Sequence, residues 1–139
     1  MAFLAKADLF NYVDESTIDQ LTNDNDVIVT DAISDAEDRI REKISPRYDL
    51  DTEFTKVGAA RNRSLLKHAV NISIYYLFQR TYTDVLPDGR EMANDIAEKW
   101  LNDVFEGRIN VTLATNDEDN QQGWPLRWGS DTKKGSQSY

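Results

Sequence analysis

The stretch from Asn62 to Thr81, NRSLLKHAVNISIYYLFQRT, limits the architectures open to this chain more than any other. In its first half Leu65, Leu66, Ala69, Val70 and Ser73 share one face of a helix, and Ser64, Lys67, His68 and Asn71 lie opposite. In its second half Ile72, Ile74, Tyr75, Tyr76, Leu77 and Phe78 point all around the axis, so no single neighbour could cover them. A short strand over 72–78 would need a Gly or Pro break before it, and there is none. The fold class expected is therefore all-α: a small bundle of about four to five helices around this long central one, with an extended C-terminal arm.

A second helix is predicted from Asp26 or Thr30 to Ile44, with Val29, Ile33, Ala36, Ile40 and Ile44 as a narrow stripe that packs against one neighbour. Asp31, Asp35, Asp38, Arg41 and Glu42 stay in water, and Pro46 ends or kinks the helix around Ser45. Two short helical segments, 6–13 and 14–21, precede it and need something larger to pack on. A last helix is expected over about 89–106. Asp88 and Glu91 form a capping box, Met92, Ala93, Ile96, Ala97, Trp100, Leu101 and Val104 a buried face, and Gly107 a left-handed cap. Ile109, Val111 and Leu113 alternate with polar residues, as an edge strand or an arm would.

Residues 47–61 show neither period and read as a long connection anchored by Tyr48, Leu50, Phe54 and Val57. Beyond Leu113 the composition changes to the polar, acidic ATNDEDNQQG and the loose GSDTKKGSQSY. The chain thus divides into a helical domain, 1–113, and a polar extended arm, 114–139. Between the two polar runs of the arm lie Trp124, Pro125, Leu126 and Trp128, and indoles are costly to leave in water and enriched where proteins meet. The arm is expected to dock on another subunit, with folding back on its own domain as the alternative.

Little here suits catalysis. His68 is the only histidine, there is no cysteine, and the carboxylates fall mostly on solvated helix faces or in the tail, so no catalytic, cofactor or metal site is expected. Asp24 and Asp26 resemble the start of a calcium loop, but Ile28 and Val29 stand where an oxygen ligand and the turning glycine belong, leaving a polar turn with a helix cap. The six glycines are isolated and form no phosphate loop. Arg61, Arg63 and Lys67 gather at helical spacing and could meet phosphate or an acidic neighbour in an oligomer. With 16 basic against 25 acidic residues the formal charge is −9, which disfavours gripping DNA but suits a surface past which DNA slides. No window approaches the roughly 18 apolar residues of a membrane span, so a soluble protein made in a cytoplasm is expected.

The order FLAKADLFNYVDESTIDQLTN, DAISDAEDRIREKISPRYDL, RNRSLLKHAVNISIYYLFQR and WLNDVFEGRINVTL resembles the small helical neck proteins of tailed phages, in particular the Mu-like prophage connector family. The likeness covers about residues 3–113 and includes Leu21-Thr22, the RYDL run 47–50, YYLFQR and the EGRI run 106–109. Pro46 and the long Trp-containing tail depart from it. The resemblance implies a head-tail connector, or adaptor, at the virion neck, assembled in the host cytoplasm. It also implies a homo-oligomeric ring, commonly a dodecamer, that binds the portal protein and extends the channel for double-stranded DNA. A stopper or tail-completion protein would dock on that ring. A closing ring needs a heterologous interface. The candidates are Trp124, Pro125, Leu126 and Trp128 on the arm and Tyr48, Leu50, Phe54 and Val57 on the loop. The alternative is a small acidic helical regulator or inhibitor that binds a host protein, as a DNA mimic would.

Overall fold

The computed structural model describes residues 3–81 and 89–115. Among them six α-helices follow one another: α1 (Lys6–Leu9), α2 (Glu15–Thr22), α3 (Asp26–Ile44), α4 (Leu50–Glu53), α5 (Arg63–Thr81) and α6 (Arg90–Phe105), with a 3-10 turn at Gly58–Ala60. The fold is all-α. As its apolar girdle demands, α5 is the central rod: it packs on α3 and α6 and is touched by α1 and α2. Leu65, Ala69, Val70, Ile72, Ile74 and Leu77 are almost completely shielded from solvent. The buried Ser73 is satisfied by donating to the Ala69 carbonyl at 2.9 Å.

The five stripe residues of α3 are all buried, but the helix meets both α5 and α6 rather than one neighbour. Arg39 supplies the second attachment through a two-pronged grip on Glu98 of α6, with Nε at 3.0 Å and Nη2 at 2.7 Å. At the N-terminus of α3 the Asn25 side chain accepts from the Val27 amide. Asp26, one of the two residues of the calcium-like run, instead pairs with Lys6, whose ammonium also reaches Asp19. The hydrogen bonds that the ammonium donates to these two carboxylates hold the Lys6 pKa above its ordinary value. As expected, the helix stops just before Pro46.

Helix α6 ends on a full left-handed cap. Gly107 has φ +79°, its amide donates to the Val104 carbonyl at 3.2 Å, and Arg108 donates to the Asp103 carbonyl at 2.8 Å. At the other end Gly89 precedes the first turn, while Asp88 of the expected capping box lies outside the described residues.

Two expectations change at the connections. Residues 47–61 are not an irregular loop, because Asp49 caps α4 by accepting from the Thr52 amide (3.1 Å) and hydroxyl (2.6 Å). Those bonds hold the Asp49 carboxyl below its usual pKa. Four residues are too few for a helical period to register in sequence. The alternating segment 109–115 forms no strand but lies against its own body. Leu113 is buried, Asn62 donates to the Thr112 carbonyl at 3.2 Å, Asp49 donates to the Ala114 carbonyl at 2.8 Å, and Tyr48 and Thr115 form an isolated antiparallel bridge.

Candidate assembly surface

The loop side chains expected at an interface mostly turn inward. Leu50 and Phe54 are buried, and Phe54 meets Phe3 edge-on at 5.1 Å with the Arg41 guanidinium over its ring at 4.8 Å. Tyr48 is half-buried against the core, leaving Val57 as the exposed member. The four residues therefore do not make one surface: α4 rotates two of them into the core. Trp124, Pro125, Leu126 and Trp128 lie outside the described residues.

His68, expected on the water-facing side of α5, is instead buried against Trp100 of α6, with ring centroids 4.7 Å apart. Burial, reinforced by the neighbouring Lys67, lowers its pKa to about 4, so the imidazole is neutral near neutral pH. Neutrality lets an imidazole pack as an aromatic, which its polarity conceals in a sequence pattern.

The three clustered cations also separate. Arg61 lies outside α5 and ties down the N-terminal segment, with Nη1 donating to the Phe3 carbonyl at 2.8 Å and to Asp8 at 2.9 Å and Nε to the Gly58 carbonyl. Arg63 and Lys67, a turn apart on α5, are exposed, and neither has an ion-pair partner among the described residues. They line an open cleft of about 640 Å³ with Asn11, Tyr12, Leu66 and Val70. Asp8 also borders it, but its carboxylate is taken by Arg61 and the Ala5 amide. In a chain of net charge −9 this is a cationic notch with an apolar wall.

On α6 the expected buried face is too wide. Ala97, Leu101 and Val104 are buried, whereas Met92 and Ile96 are 67% and 53% exposed. At about 100° per residue, Met92 lies about 120–180° and Ile96 about 80–140° around the helix from the three buried residues. The apolar arc thus exceeds what one bundle covers, and that width, visible in the sequence, could have marked Met92 and Ile96 as surface. Tyr12 of the cleft carried no comparable signal.

These features define a small all-α protein whose outward equipment is charged helix faces, a cationic notch and a stripe of uncovered apolar side chains. The chain belongs to the family described as Bacteriophage Mu, Gp36, whose model matches residues 3–126. It is a Mu-like phage protein of the structural or morphogenetic kind. No curated protein matches the sequence. The family match runs past Leu113 to Leu126, so the arm as far as Trp124, Pro125 and Leu126 is part of the family pattern and not a departure from it. Among the described residues no helix is long and apolar enough to cross a membrane.

Proposed function

We propose that this chain is a non-enzymatic head-tail connector of a Mu-like phage, at the virion neck. Copies would form a ring under the portal protein, twelvefold by resemblance, that extends the DNA channel and offers a platform to a stopper or tail-completion protein. Membership of the phage family across residues 3–126 is the observation that carries this proposal. The helical body and an acidic surface that would repel passing phosphates support it. A DNA mimic would need an unbroken anionic face. On α3 the acids are interleaved with cations that neutralise them, Arg39 with Glu42 and Arg41 with Asp38, so that alternative draws less support.

Removal of the gene tests the role. Electron microscopy of the lysate is expected to show filled or leaking heads without tails, and normal infectious tailed particles would overturn it.

A further inference from the structure

We propose that the cleft beside Arg63 and Lys67 receives the C-terminal tail of a second copy of this chain, an inference resting on the ring assembly proposed above. The acidic run Asp117, Glu118 and Asp119 would meet the two cations, and Trp124 would sit on the wall formed by Tyr12 and Leu66.

The match is first one of charge. Two bodies that each carry −9 repel unless a cationic patch on one faces an acidic segment of the other. Arg63 and Lys67 are neighbouring cations without an ion-pair partner among the described residues, while Arg61 and Asp8 beside them neutralise each other at 2.9 Å. The acidic faces of the helices could answer only the charge. The tail carries three consecutive acids and, five residues on, an indole, so it answers the apolar wall as well. Five extended residues span at most about 17 Å, which lets the acids lie on the rim while the indole enters.

The tail starts from an exposed point on the body. Its last described residue, Thr115, is paired with Tyr48 beside α4, and 24 residues follow it (116–139). A ring closes through two different patches, one on each side of every copy. A tail and a cleft are two such patches, and the family match includes both, through Leu126.

The test uses full-length protein whose own tail is disabled by D117N, E118Q, D119N and W124A. A labelled peptide of residues 114–130 is titrated into it and followed by anisotropy. Binding is expected to weaken with salt and to fall by about tenfold or more when R63E and K67E are added. The pair R63Q and K67Q, with a thermal melt of each protein, separates lost docking from lost folding. Undiminished binding to a folded cleft variant, or no binding to the intact cleft, would overturn the proposal.

Mixing the tail-disabled protein with a full-length R63E and K67E protein decides whose tail is bound. Sedimentation at high concentration should show a complex that neither forms alone. Peptide binding without that complex means that each tail fills its own cleft, which also overturns the proposal. These measurements are made on isolated protein, so the neck assignment can fail in the virion experiment while docking stands, and the reverse.

Discussion

His68 gives the clearest consequence at the scale of one residue. Folding takes its ring from water to the face of Trp100, where the charged form is disfavoured and the pKa falls from 6.5 to about 4. Above pH 6.5 both folded and unfolded chains hold a neutral imidazole and the group adds no pH dependence. Below it the unfolded chain takes up a proton that the folded chain refuses, so stability falls as the pH drops, by at most about 3 kcal/mol once the pH is below both values. Urea unfolding at about pH 7 and about pH 5 should show this loss in the native sequence and less of it in His68→Phe, which keeps an aromatic against Trp100. Equal slopes in the two proteins would show that His68 is not the group titrating.

At the scale of elements, one buried carboxylate is among the groups that attach segment 109–115. Glu53 at the end of α4 is fully buried, and its Oε2 accepts from the Ala114 amide at 2.5 Å and from Lys56 at 2.8 Å. Glu53→Ala would leave that amide unsatisfied and is expected to cost about 1–3 kcal/mol. Hydrogen exchange should quicken at Ala114 well before α5 is affected, because the segment hangs on α4 while α5 is packed from several sides. Exchange that rises uniformly would mean that α4 and the segment are no separate unit.

The same elements show what could be read in advance. Helices α3, α5 and α6 announced themselves because their apolar residues repeat over four or more turns, and Pro46 and Gly107 punctuate them. Helix α4 could not, since it is made by the Asp49 cap and by a long-range contact to Ala114. Of the expected interface, the loop half misled because Leu50 and Phe54 are apolar for the sake of the core. The cationic pair Arg63 and Lys67 was legible, but only folding showed that Arg61 leaves the group.

For the molecule as a whole, the question is which apolar surface holds the fold together and which is left for something else. Helix α6 contains both within a few residues. Leu101 is fully enclosed, and Leu101→Ala should cost about 2–5 kcal/mol, lowering the Tm of the single cooperative transition expected of a body built on one core. Met92 and Ile96 touch water over more than half their area, so M92S with I96S should leave stability within about 0.5 kcal/mol per site of the native value. If the stripe is a contact with another protein, the doubly substituted chain, still folded, should fail to enter particles when supplied in place of the native one. Burying it would recover roughly 25 cal/mol per Å² of apolar area, which serine forgoes. Normal incorporation of the serine variant, measured by its copy number in purified virions, would mean that the stripe takes no part in assembly. A large drop in Tm would instead place Met92 and Ile96 in the core of their own chain.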